Sequence, residues 1–331
     1  MQVYLLLTTL CNLNCKMCIR GNLKNSTMNF SSLSQVFGDP CWENDDIVLT
    51  GGEPTLHKNF VDCVNFFNDK VRYITICTNG TTDYYIDELK SVKNLMVQIS
   101  LDGNQQYHDS VRGKHTFSKV KSTINKLEEF DINYCIASVV NRNNVDKICE
   151  LIPFLSKLRK LQYWRISYEM PFGCADKKLM LSSSEWNTFV DNIIPLVPFR
   201  LFIKKIFAFD LYDQILKNKD QCLRYKTNRI RNCGNCTSKI YVYPDFNVYP
   251  CTCLTNFPVG NLLKDNIKNI INSSAADTFI NYKLDEGLPC NSCKYYEFCY
   301  GGCIGMSYHM LGGLGKGDIR CPILQKYYSQ K

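Results

Sequence analysis

Nineteen cysteines in 331 residues constrain this chain more than any other feature, and their placement matters as much as their number. Three lie between Cys11 and Cys18 and more than half lie between Cys222 and Cys321, whereas the long middle carries them singly. A secreted disulfide scaffold is usually short, cysteine-rich throughout and led by a signal peptide. The opening run Val3 to Thr9 is too short and lacks a basic start, and no apolar run reaches the roughly 18 residues of a membrane span. The expectation is a cytoplasmic protein with no membrane partner, whose cysteines are thiolate ligands kept reduced.

With 45% hydrophobic and 12% aromatic residues the chain can bury one large domain and a smaller one. The net charge of +8 comes from dispersed Lys and Arg with no basic run, so no nucleic-acid partner is expected. Six short apolar or β-branched runs alternate with helical stretches: Val3 to Thr8, Ile47 to Thr50, Tyr73 to Thr78, Leu95 to Leu101, Ile132 to Val140 and Tyr163 to Tyr168. Between two of them Phe117, Val120, Ile124, Leu127 and Phe130 fall at steps of three and four, one apolar helix face. The fold class is therefore α/β, a partial (β/α)6 TIM-like barrel whose strand ends carry the site. The alternation fades after Pro198, and a domain change is placed near residue 205, dividing the chain into 1–205 and a cysteine-rich 206–331. Ile240 to Tyr243 reads as part of a hairpin.

The motifs fall at the carboxyl ends of the strands. Cys11, Cys15 and Cys18 follow the first, separated by three and then two residues. Three thiolates are the informative number, because a 4Fe-4S cluster normally takes four and a structural zinc wants a fourth protein ligand. Gly51-Gly52-Glu53-Pro54 follows the second strand, Thr78-Asn79-Gly80 the third, and Ser100-Leu101-Asp102-Gly103 ends the fourth. Together these resemble the radical S-adenosylmethionine (SAM) superfamily. The resemblance implies one iron left open for the amino and carboxylate groups of SAM, Met17 near the adenine, and Gly51, Gly52, Glu53, Asn79, Ser100, Asp102 and Arg112 around the cofactor. Arg112 is expected to pair either with the cofactor carboxylate or with Asp109 or another acid.

Cys290, Cys293, Cys299 and Cys303, separated by two, five and three residues and followed by Cys321, resemble the SPASM extension of peptide-modifying members. The family's interleaved pattern assigns Cys233, Cys236, Cys251 and Cys303 to one auxiliary 4Fe-4S cluster and Cys290, Cys293, Cys299 and Cys321 to the other. Cys222 is an alternative to Cys233. In the turn before Cys251 the family usually has Gly where Phe246 stands, so Asn247 is expected to take the left-handed conformation. The scattered Cys41, Cys63, Cys77, Cys135 and Cys149 are read as packed small hydrophobes. His57, His108, His115 and His309 show no ligand spacing and are read as loop or surface residues. Cys174 and Cys253 are candidate hydrogen-atom donors.

What the resemblance implies is reductive cleavage of SAM to a 5'-deoxyadenosyl radical and hydrogen abstraction from a substrate, most simply a ribosomally made peptide. The expected cofactors are SAM and three 4Fe-4S clusters, the expected electron donor flavodoxin or ferredoxin. Only ten residues precede Cys11, so the peptide is expected to dock elsewhere or through a separate recognition protein. Anaerobic sulfatase maturation is one alternative, against which stands Thr252, where those enzymes typically carry a catalytic acid. A sugar or other small molecule is another. A non-catalytic iron-sulfur or zinc protein would explain the C-terminal cysteines but not the open loop before ordered cofactor motifs.

Overall fold

The computed structural model describes residues 1–21, 23–218, 220–221 and 230–331. The six expected runs are strands: β1 (Gln2–Thr8), β2 (Asp46–Gly51), β3 (Tyr73–Thr78), β4 (Leu95–Ser100), β5 (Tyr134–Val140) and β6 (Leu161–Tyr168). They lie side by side in chain order and parallel, with Val3 opposite Ile47 and Leu5 opposite Leu49 at the start of the series. A two-residue β7 (Leu201–Phe202) extends the β6 edge.

The other edge holds more than periodicity revealed. β8 (Lys239–Val242) adds to β1 in parallel, Val3 opposite Ile240, and then turns back through β9 (Asn247–Tyr249) to β10 (Gly260–Asn261). The expected hairpin is therefore present, but it continues the same open ten-stranded sheet, ordered β10-β9-β8-β1-β2-β3-β4-β5-β6-β7. Residues from both parts of the cysteine pattern are thereby held by one backbone ladder.

Alternation along β1 separates the two faces of the sheet. Val3, Leu5 and Leu7 enter the main core, which the helices cover, while Leu6 joins Tyr241 and Tyr243 in a second cluster flanked by Tyr4, Leu23 and Tyr249. The helices form where the spacing placed apolar faces. α1 (Phe30–Phe37), α2 (Phe60–Asn68) and α3 (Gln105–Arg112) precede α4 (Thr116–Glu129), which buries Val120, Ile124 and Leu127 completely. Each such side chain contributes about 1.5–3 kcal/mol. Side-chain oxygens of Asn29 and Asn104 accept from Ser32 N–H and Tyr107 N–H and so start α1 and α3.

Three readings of the sequence are corrected. Phe246 itself, at φ +63°, takes the left-handed turn position, and Asn247 enters β9. The ring of Phe246 is buried and its N–H closes the turn on Tyr243 C=O, so packing outweighs the backbone cost. Cys41 is exposed in a short turn, whereas Cys63 and Cys135 are fully buried as expected and Cys77 accepts a hydrogen bond from Gln98. His57 and His108 are not surface residues. Both are buried, His57 bonded to Met28 C=O and Asn59 N–H, and His108 Nδ1 accepting from Asp102 N–H.

Candidate active site at the carboxyl ends of the strands

The Cys11–Cys18 loop leaves the end of β1 and is tied down from four sides. Its stem is gripped by the next motif, because Gly52 N–H donates to Thr8 C=O and Glu53 N–H to Leu10 C=O. A Cβ on Gly52 would stand 2.3 Å from Leu10 O and 2.5 Å from Thr9 O, which explains the residue type by the approach of two backbones. Lys16 N–H donates to Val111 C=O at the end of α3. Beyond the loop, Cys18 C=O accepts from Cys174 N–H, and a Cβ on Gly173 would meet that same carbonyl at 2.3 Å. The loop after β6 is thus moulded to the last cysteine of the loop after β1.

Glu53 and Asn79 hold the remaining side. The Glu53 carboxylate is completely buried and accepts from Thr55 N–H, Thr55 Oγ1, Thr78 Oγ1 and Asn79 N–H, joining the ends of β2 and β3. Burial raises its pKa against the pull of those four donors. Asn79 Nδ2 donates to Asn12 Oδ1 at 2.9 Å and lies 3.9 Å from Cys11 Sγ. Glu53 and Asn79 therefore shape the loop, the one through a buried network and the other by direct contact.

Asp102 and Arg112 are joined to each other. Asp102 is fully buried, one oxygen accepting from Val139 N–H and the other from Arg112 Nε. The expected alternative partner, Asp109, instead caps the start of α4 through His115 N–H, Phe117 N–H and Thr116 Oγ1. Arg112 Nη1 reaches to 4.0 Å from Cys15 Sγ. Burial pushes the Cys15 thiol up to about 11, and Arg112 opposes that shift. Ser100 is half-buried at the end of β4, and Met17 is 8% exposed beneath the loop.

The C-terminal cysteines fall into two neighbourhoods. The buried Cys290 thiol feels Cys321, Cys299 and Cys293, and is pushed up to about 12, chiefly by burial. Cys303 feels Cys251 and Cys233, and its thiol is likewise raised to about 12 by burial. Cys236 is buried at the start of the β8 hairpin, where its N–H donates to Lys239 C=O. Cys253 is hydrogen-bonded with Cys251, and its carbonyl bonds His309 Nε2. Cys174 is exposed. Cys222 lies outside the described residues. Among the described residues no three ligand-type side chains converge on one point as around a single ion. Four thiols in one neighbourhood, each able to bind a different iron, are the donor set that a 4Fe-4S cluster takes.

Cysteine spacing gave no signal for a second buried acid–base pair. Asp318 accepts from Cys303 N–H at 2.9 Å and from Arg320 Nε and Nη2 at 3.0 and 2.7 Å, while Arg320 lies over the Tyr168 ring of β6. The guanidinium favours the Cys303 thiolate as Arg112 favours that of Cys15. Glu169, at the end of β6, was also not singled out. It is 5% exposed, accepts from Asn141 Nδ2, and is shifted upward by burial.

Comparison with known proteins agrees with this arrangement. Residues 5–155 match the model of the radical SAM superfamily, and residues 233–294 match that of an iron-sulfur cluster-binding domain, SPASM. The chain is 27% identical, over 88% of its length and 84% of the relative's, to a cysteine-type anaerobic sulfatase-maturating enzyme of Clostridium novyi. It is 25% identical, over 90% of its length and 65% of the relative's, to the antilisterial bacteriocin subtilosin biosynthesis protein AlbA of Bacillus subtilis. The structure of Streptococcus suis SuiB bound to its precursor peptide SuiA superposes with a TM-score of 0.78 at 14% identity, over 98% of this chain and 75% of that one. Open parallel sheet, three-cysteine loop and cysteine-rich hairpin domain are thus found together, and the chain carries a radical SAM domain followed by a SPASM iron-sulfur domain.

Proposed function

We propose that this enzyme modifies a ribosomally made peptide by radical chemistry, with Cys11, Cys15 and Cys18 holding the SAM-binding cluster. The observation that carries the reading is the loop itself: three cysteines after β1, fixed on four sides by backbone and side-chain bonds and left without a fourth cysteine in the segment. Cys233, Cys236, Cys251 and Cys303 hold one auxiliary cluster, and Cys290, Cys293, Cys299 and Cys321 the other; the grouping of Cys303 with Cys251 and Cys233, and of Cys290 with Cys293, Cys299 and Cys321, supports this. When bound, the open cluster and SAM supply a 5'-deoxyadenosyl radical that takes a hydrogen atom from substrate.

The chain's own residues orient and insulate. Gly51 and Gly52 let β2 close on the loop stem, Asn79 clamps Cys11, Met17 walls the adenine side, and Ser100 offers a polar contact. Arg112, neutralised by Asp102, biases Cys15 toward thiolate. Cys174 stands on the loop bonded to Cys18 and Cys253 beside Cys251, the two positions from which a thiol could return a hydrogen atom to give an epimer. A peptide is favoured as substrate because AlbA serves bacteriocin biosynthesis and SuiB binds a precursor peptide. Sulfatase maturation is disfavoured because Thr252, next to Cys251, is hydrogen-bonded to Arg20 and offers no carboxylate. Co-expression with a short peptide encoded beside the enzyme, followed by mass spectrometry and chiral amino-acid analysis of the hydrolysed peptide, tests the reading: loss of two hydrogens or an inverted residue supports it. An unmodified peptide, with SAM cleavage in the holoenzyme indifferent to that peptide, contradicts it.

A further inference from the structure

Arg20 has a hydrogen-bonding environment that no motif accounts for. It lies two residues beyond Cys18, half-buried, and reaches across the sheet to the cysteine-rich domain. Nη1 donates to Thr252 Oγ1 at 2.9 Å and lies 3.5 Å from Tyr243 Oη, while Nη2 lies 3.3 Å from Thr50 Oγ1. All three partners are neutral hydroxyls. Among the described residues no carboxylate pairs with Arg20, and the remaining residues of the chain contain no Asp or Glu.

Every other half-buried or buried arginine of the site has its acid: Arg112 has Asp102 and Arg320 has Asp318. A guanidinium given only hydroxyls lacks the charge-assisted bond to a carboxylate, which is about twice as strong as a neutral one. The hydroxyls are suited to a shared role, since each can accept from Arg20 and donate its own proton outward. Aromatic rings pack beside this group: Tyr4 stacks on Tyr241 with ring centroids 4.5 Å apart, and Tyr243 meets Tyr249 edge-on. By position the group lies between the loop after β1 and the residue following Cys251, where a substrate shared by the SAM-binding and auxiliary clusters would have to pass.

We infer that Arg20, with the hydroxyls of Thr50, Thr252 and Tyr243, is the anchor for a carboxylate of the substrate, an acidic side chain of the peptide, and so sets which residue is presented to the radical. This rests on the peptide reading above and deepens it. It also gives Thr252 a role distinct from the acid that sulfatase maturation would need there.

The test uses anaerobically reconstituted holoenzyme with SAM bound. The probes are two fluorescein-labelled synthetic pentapeptide mixtures, blocked at both ends and differing only in a central Asp or Asn, and binding is read by fluorescence anisotropy. The native protein binds the Asp mixture about tenfold more tightly, the difference expected of one charge-assisted pair. Arg20→Gln brings the ratio near one at unchanged iron content, and Arg20→Lys keeps an intermediate ratio. Because a net charge of +8 attracts acidic peptides generally, the native ratio is also read at about 1 M salt, where the Debye length is roughly 3 Å. A preference that persists there supports the anchor, whether or not the glutamine variant loads its clusters. A native ratio near one, a preference erased by salt, or a preference retained by Arg20→Gln overturns it, as does a variant that weakens SAM binding while leaving the peptide ratio intact. Peptide-dependent 5'-deoxyadenosine formation tests the parent reading separately.

Discussion

Arg112 stands between the carboxylate of Asp102, 2.5 Å from its Nε, and the sulfur of Cys15, 4.0 Å from Nη1. The arginine is thus a link between a fully buried acid at the end of β4 and Cys15 on the loop after β1. Removing it leaves Asp102 buried and unpaired, a situation that typically costs 3–5 kcal/mol. Arg112→Ala is therefore expected to lower stability by about that much in urea titrations, and the double variant Asp102→Asn, Arg112→Gln to lose less than the sum of its singles. Additive losses would show that the pair is not coupled.

Gly52→Ala forces a Cβ against two backbone carbonyls of the loop stem, which cannot yield as a side chain would. The expected outcome is loss of most SAM cleavage with the chain still folded. Gly313 lies in extended backbone with only the flexible Lys316 side chain nearby, so Gly313→Ala is the matched control, within about 0.5 kcal/mol of the native protein. Full cleavage by Gly52→Ala would remove the steric reason given for this motif.

What was legible in the sequence was whatever local pattern determines. The six strands follow from short β-branched runs and α4 from its apolar spacing, because burial of one face decides both. The pairing of β8 with β1 is a contact between residues more than two hundred positions apart, and no local period encodes it. Phe246 was misread for a related reason: its positive φ is imposed by burial of its ring, against its residue type. Cysteine spacing pointed to the candidate site, whereas the contacts of Asp318 with Cys303, Arg320 with Tyr168, Glu169 with Asn141 and Arg20 with Thr252 join residues far apart in the chain and have no such mark.

Burial holds the His108 imidazole at about 4, well below its ordinary value, with Nδ1 accepting from Asp102 N–H. The folded chain therefore keeps it neutral where the unfolded chain, titrating near 6.5, takes up a proton. This contribution is fully present above pH 6.5 and declines as pH falls toward about 4, the loss reaching about 2 kcal/mol by pH 5. Urea midpoints at pH 7.5 and 5, with iron content checked at both, should differ more for the native protein than for His108→Gln. Equal differences would show that another group governs the slope.

Replacing Cys290 and Cys293 with Ala should remove one four-thiolate site and take iron from about twelve to about eight per chain. Reductive cleavage of SAM persists, because the Cys11–Cys18 loop is held by β2, β3, α3 and the loop after β6 rather than by these cysteines. The ratio of modified peptide to 5'-deoxyadenosine falls several-fold, since the substrate radical loses an electron exit or its positioning. An unchanged ratio after demonstrated cluster loss would assign that cluster a purely structural part.

On the function proposed above, the loop after β1 holds the cluster that cleaves SAM. The most direct test of this is the Cys11→Ala, Cys15→Ala, Cys18→Ala variant, reconstituted anaerobically and incubated with SAM and dithionite. The expected result is about eight irons per chain, from the two auxiliary sites, and no 5'-deoxyadenosine. Continued 5'-deoxyadenosine formation by that variant would contradict it.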